Sequence, residues 1–141
     1  MTPVGTRRTF ADWQLLAAVA ALQIAVAAAL RIMRLAVLRS RAARSRRRVQ
    51  AWAHGTDDRV VWAIQATGRR LGRLSSCLVR AIAAEIVLDL PDRPVFLTIG
   101  VRRRPDGSLA AHAWLADADR VLIGAEDEEY STLVEWSSAS A

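Results

Sequence analysis

The chain has 141 residues, 52% of them hydrophobic and 6% aromatic, which fits one domain with an appendage. A single cysteine, Cys77, excludes an internal disulfide framework, and with only two histidines the chain lacks the soft ligands of a zinc site. No metal and no cofactor is therefore expected. The net charge of +6 conceals an asymmetry: residues 1–59 hold eleven Arg against Asp12, Asp57 and Asp58, whereas residues 105–141 hold only Arg120 against eight acids. All twenty basic residues are Arg. The balance describes a basic arm, residues 1–50, joined to a mildly acidic body, residues 51–141.

Between residues 11 and 48 there is no Gly or Pro, and Ala, Leu and Arg dominate, so the pattern predicts one unbroken helix. Thr9 can cap its start, with Asp12 three residues on near the positive end of the dipole. Leu15, Val19, Leu22, Val26, Ala29 and Met33 follow four-three spacing and make one apolar stripe.

Three readings of this arm stand side by side. In one, it is an Ala-rich helix packed on the body or on a partner, with its Arg-rich end in solvent. In another, residues 11–38 contact a membrane: residues 14–30 carry no charge, near the short end of the ~17–25 needed to span a bilayer. The eight Arg between 31 and 48 would hold that flank in the cytoplasm. In the third it is a cleaved signal, since "RRTF" faintly resembles a twin-arginine motif, but the basic block after the apolar stretch opposes export. A cytoplasmic protein, free or membrane-associated, is expected. "RSRAARSRRR" (39–48) can neutralise phosphates, yet no aromatic is interleaved and no reading helix follows, so no nucleic-acid role is assigned.

"HGTDD" (54–58) marks a loop and cap. A helix is predicted over 58–71, with Val61, Ile64 and Leu71 inward, and is broken by Gly72. A second is predicted over 76–88, ended by Pro91. The period then changes: "PVFLTIGV" (94–101) alternates, with Val95, Leu97, Ile99 and Val101 on one face. "RPDG" (104–107) turns into a strand over 108–117, and "ADADR" turns into a third, "VLIGA" (121–125). The acidic "EDEEY" and the Ser-rich tail read as a solvated end, with Tyr130, Leu133 and Trp136 available to pack back. Helices followed by an antiparallel meander make an α+β fold.

The chemistry gathers at "SSCLVRA" (75–81) and "AHAWLAD" (111–117). Ser75 or Ser76 is a natural N-cap, which puts Cys77 in the first helical turn, where unpaired N–H groups and the dipole favour thiolate. The Cys77 N–H points where an oxyanion would form. His112 sits mid-strand on the face of Ala110, Trp114 and Ala116, with Trp114 placed to exclude water. A Cys at a helix start facing a strand His is the papain-type and transglutaminase-type constellation. Each residue also has a plain structural reading: a small buried hydrophobe, and a satisfied strand His.

"SSCLVRA", "LTIGVRRRPDGSLAAHAWL" and "VLIGAEDEEYSTL" together resemble the lasso-peptide leader peptidases, the small stand-alone transglutaminase-like maturation proteases. The resemblance covers roughly 55–135 and extends to the opening Leu/Ala/Arg-rich helix. It implies a papain/transglutaminase-like fold and a cysteine protease that removes the leader from a ribosomally made precursor peptide. Cys77 would be the nucleophile and His112 the general base. A separately encoded leader-recognition protein and an ATP-dependent lasso cyclase would be the partners.

Related enzymes usually supply an Asp after the His strand, and "VLIGA" has none. Asp117 lies ~16 Å along the strand from His112 at ~3.3 Å per residue. A three-residue turn at 118–120 puts Glu126 opposite His112, so Glu126 is the expected orienting acid; a backbone carbonyl or a partner protein is the alternative. Two rival functions remain: an inactive papain-like scaffold, and an amidase or transamidase using the same dyad.

Overall fold

A computed structural model describes residues 8–88 and 92–138 of the chain. Helices α1 (Phe10–Ile32), α2 (Leu35–Trp52), α3 (Asp57–Leu71) and α4 (Cys77–Leu88) precede strands β1 (Phe96–Arg103), β2 (Leu109–Ala116), β3 (Val121–Ile123) and β4 (Ser131–Ser137). The sheet is antiparallel with order β3-β2-β1-β4, so the fold is α+β as the periodicity implied. Pro91, expected to end α4, lies outside the described residues.

α1 opens on a capping box. The Thr9 hydroxyl accepts from the Asp12 N–H, and the Asp12 carboxylate accepts from the Thr9 N–H at 2.8 Å. Leu15, Leu16, Val19, Gln23 and Val26 are its buried residues, packed toward α3 and α4. α1 is also long and apolar enough to cross a membrane by length and composition, with 28% of its most apolar stretch buried.

The single helix expected over 11–48 is two. Met33 and Arg34 are both extended, and α2 turns back alongside α1 and α4. An unbroken 38-residue helix would run about 57 Å at ~1.5 Å per residue, far beyond a body this small. Breaking it lets Leu38 enter the core and Arg39 reach Glu85 of α4 at 2.5 Å, with both side chains nearly buried. Gln50 further donates to the Ile86 and Val87 carbonyls at the end of α4. Helix propensity favours no break anywhere in this stretch; tertiary contacts chose its place.

α4 is the hub. Val79 and every residue from Ala81 to Leu88 are buried, enclosed by the other three helices and the sheet. In α3 Ile64 is buried as expected, together with Val60 and Ala63, whereas Val61 and Leu71 are only half-buried. Val95, just before β1, and Leu97, Ala113 and Leu115 of the sheet complete the core.

The tail expected in solvent is mostly exposed, but its residues Ser131–Ser137 also form β4, paired with β1 from Phe96↔Ser137 to Val101↔Ser131. Trp136 packs on the core, whereas Leu133 stays exposed. The turn after β2 also differs: residues 117–120 make the connection, and a bulge separates the pairs Ala116↔Val121 and Leu115↔Ile123. Asp117 Oδ1 accepts from the N–H groups of Asp119 and Arg120, which occupies that carboxylate in the turn.

Candidate active site

The serines before α4 divide two tasks. Ser76 caps the helix, its hydroxyl accepting from the Val79 N–H at 3.3 Å. Ser75 is buried and donates to Gln23 Oε1 on α1, while Gln23 Nε2 donates to Thr67 Oγ1 at 2.6 Å and to the Ile64 carbonyl at 3.2 Å. This fully enclosed amide joins α1, α3 and the entrance of α4, and so anchors the backbone two residues before Cys77. Gln23 is not among the residues that the sequence singles out. The available signal was one amide inside a long uncharged, Ala-rich stretch.

Cys77 is the first residue of α4 and is half-buried. His112 is buried on β2, opposite Gly100 of β1. Both line one cavity of about 310 Å³, together with Gln65 and Arg69 of α3, Arg80 of α4 and the stretch 122–126. Glu126 lines it too, so all three residues singled out from the sequence meet there.

The imidazole is held from the segment after β3. His112 Nε2 lies 2.7 Å from the Gly124 carbonyl, and Nδ1 lies 3.3 Å from Glu126 Oε1. Continuing the Leu115↔Ile123 register sets Glu126 level with His112, although the turn differs from the expected one. A carbonyl accepts only, so Nε2 carries the proton in that bond and Nδ1 is the basic nitrogen. Cys77 makes no hydrogen bond to His112 here; the two share the cavity wall.

Gly124 is demanding in two ways. Its φ is +85°, and a Cβ there would sit 2.8 Å from the Ala113 carbonyl oxygen. Only glycine brings this backbone so close to β2, which is what delivers its carbonyl to His112. The sequence shows Gly124 merely as a residue inside "VLIGA".

An aromatic wall encloses the ring. Trp114 and Tyr130 lie 6.1 and 5.3 Å from the His112 centroid. Tyr130 donates its hydroxyl to Glu126 Oε2 at 2.9 Å, so it also fixes the carboxylate. Gly100 makes room for this wall, because a Cβ there would meet the Trp114 ring at 2.8 Å.

A half-buried thiol at a helix mouth and a strand imidazole with its ring anchored on a carbonyl suit acyl transfer through a thioester. A family model described as the transglutaminase-like superfamily matches residues 18–135. The chain belongs to the transglutaminase-like superfamily. That superfamily includes cysteine proteases and transglutaminase-like enzymes, and its α+β architecture agrees with the helices and antiparallel sheet seen here. The superfamily match begins inside α1, so it takes in most of the arm as well as the body. No curated protein and no solved structure matches the chain.

Proposed function

We propose that this member of the superfamily is a cysteine peptidase that removes the leader from a ribosomally synthesised lasso-peptide precursor. The observation that carries the proposal is the cavity shared by Cys77, His112 and Glu126, with the Gly124 carbonyl on the imidazole. The motif resemblance around Cys77 and His112 supplies the substrate class. Cys77, His112 and Glu126 are proposed as nucleophile, general base and carboxylate partner of the ring.

The Cys77 thiol gives its proton to His112 Nδ1, and the sulfur attacks the carbonyl carbon of the leader–core bond. The Nε2–H bond to Gly124 keeps Nδ1 basic for that step. The imidazolium so formed can donate from both nitrogens at once, to Gly124 and to Glu126, which stabilises it. The N–H groups of the first α4 turn face the developing oxyanion. His112 then returns the proton to the leaving amine, and the C–N bond breaks to leave a thioester on Cys77. Water attacks the thioester, His112 takes its proton, and the thiolate departs.

The protein works in the cytoplasm with a separate leader-recognition protein, upstream of an ATP-dependent cyclase that closes the ring on the freed amine. The test is cleavage of a cognate precursor in the presence of that recognition protein. Cys77→Ala and His112→Ala should each abolish the release of free leader and core; wild-type cleavage by Cys77→Ala would end the proposal.

A second reading, an inactive papain-like scaffold, is favoured by both imidazole nitrogens facing oxygens rather than the sulfur. Iodoacetamide separates the two. In an active dyad, His112→Ala slows alkylation of Cys77 at pH 7; in a scaffold it leaves the rate unchanged.

A further inference from the structure

Two guanidinium groups line the cavity beside Cys77, and neither has a carboxylate partner among the described residues. Arg80 lies three residues beyond Cys77 on α4, hence on the same helical face, about 5–6 Å away between Cβ atoms. Its stem packs over Gly68, where an added Cβ would come within 2.9 Å of Arg80 Cδ. Its Nε is buried without a hydrogen-bond partner. Arg69 projects into the same cavity from α3. The one acid in the lining, Glu126, accepts from the Tyr130 hydroxyl and faces the His112 ring, and it makes no ion pair with either arginine.

Two guanidinium groups with no counter-charge on one cavity wall make that wall positive, so an anionic group entering beside Cys77 would be drawn to them. The planar fork of arginine matches a carboxylate with two parallel hydrogen bonds. We infer that Arg69 and Arg80 form a carboxylate-binding subsite beside Cys77, which selects peptide substrates carrying an acidic group next to the bond attacked. The inference rests on the peptidase reading for the identity of the ligand as a peptide, but its charge recognition can be measured separately.

Cys77 is the chain's only thiol, so the intact protein can be probed with a matched pair of reagents. Iodoacetate and iodoacetamide both place a carbon on sulfur and expel iodide, and they differ in carrying a carboxylate or a neutral amide. Because one thiolate attacks both, the ratio of their rates cancels its reactivity and reports the charge environment alone. In wild type the ratio should favour iodoacetate relative to a simple thiol, and high salt should reduce that preference. Arg69→Gln and Arg80→Gln should each lower the ratio about threefold, and the pair about tenfold, while Arg80→Lys retains most of it.

Arg69 is exposed, so Arg69→Gln keeps the test available should Arg80→Gln fail to fold. A ratio equal to that of a simple thiol, or one unmoved by both Gln variants, overturns the subsite. Slow alkylation by both reagents with the ratio preserved would instead count against the peptidase and leave the subsite standing. Protection of Cys77 from iodoacetamide by peptides then identifies the source. A Glu-bearing, C-terminally amidated peptide that protects assigns the carboxylate to a side chain. A Gln-bearing peptide with a free terminus that protects assigns it to a chain end. Protection by neither, or equal protection by an uncharged amidated peptide, overturns the assignment.

Discussion

The backbone carbonyl of Gly124 lies 2.7 Å from His112 Nε2, and the glycine that supplies it has a φ of +85°. An imidazole on one strand is thus oriented by backbone from the segment following the next. Gly124→Ala cannot keep both the conformation and the approach to β2, since its Cβ would collide with the Ala113 carbonyl. Loss of the contact that orients the ring should lower activity, and the strained backbone costs about 1–3 kcal/mol. Precursor cleavage kinetics and urea unfolding of Gly124→Ala check the two effects.

Glu126 and Tyr130 form a relay to the same ring. Glu126→Gln removes the charge facing Nδ1 and should reduce kcat/KM about tenfold. Tyr130→Phe frees the carboxylate without removing it, so its effect should be smaller and in the same direction. Single-turnover rates for the two variants give the order; an Glu126→Gln variant as active as wild type would leave the Gly124 carbonyl as the sole orienting group.

Gln23→Leu fits an apolar helix by composition yet should be damaging. It strands the buried Ser75 hydroxyl, while Thr67 keeps its bond to the Ala63 carbonyl, and it loses the link from α1 to the entrance of α4. Leaving a buried polar group unsatisfied costs about 1–3 kcal/mol, which urea denaturation would detect. The alkylation rate of Cys77 should change with it, because the anchor lies two residues away.

The Arg39–Glu85 pair ties α2 to the central helix, with side-chain exposures of 10% and 5%. Removing one partner leaves a buried charge, so Glu85→Ala should destabilise by about 3–5 kcal/mol. Replacing both with apolar residues should cost much less. Chemical denaturation of the single and double variants measures the difference.

Acid should loosen the start of α1. The Thr9 backbone N–H and hydroxyl, followed by Arg59, hold the Asp12 carboxyl below its usual range. A carboxyl depressed on folding contributes stability above its unfolded value of about 3.9, and the contribution is lost as pH falls through the lower folded value. Wild type should therefore exceed Asp12→Asn in stability at neutral pH, and the gap should close as acid protonates the carboxyl below its ordinary range. Thermal unfolding across that range reads the convergence.

Much of the body was legible because its signals are local. The turn residues at 104–107, the alternation through Leu97 and Ile99, and the serines before Cys77 each act over a few residues. The strand in the tail is illegible for the opposite reason. Residues 131–137 become β4 only because β1 offers an open edge, and Ser, Thr and Glu alternate there too weakly to announce a strand. On α3 the inward place of Ile64 is legible, but Val60 and Val61 are equally apolar and packing alone selects between them.

By itself the sequence determined the order of helices before strands, the cap that puts Cys77 at the mouth of α4, and the placing of His112 on a strand. These follow from periodicity and short-range hydrogen bonding, which neighbouring residues decide. Tertiary structure alone decided where the long Arg-rich helix breaks, which polar groups Gln23 satisfies, and that Gly124 rather than a side chain touches His112 most closely. Those outcomes depend on contacts between residues far apart in the chain, and on where the backbone leaves room for a Cβ, neither of which a residue's own identity encodes.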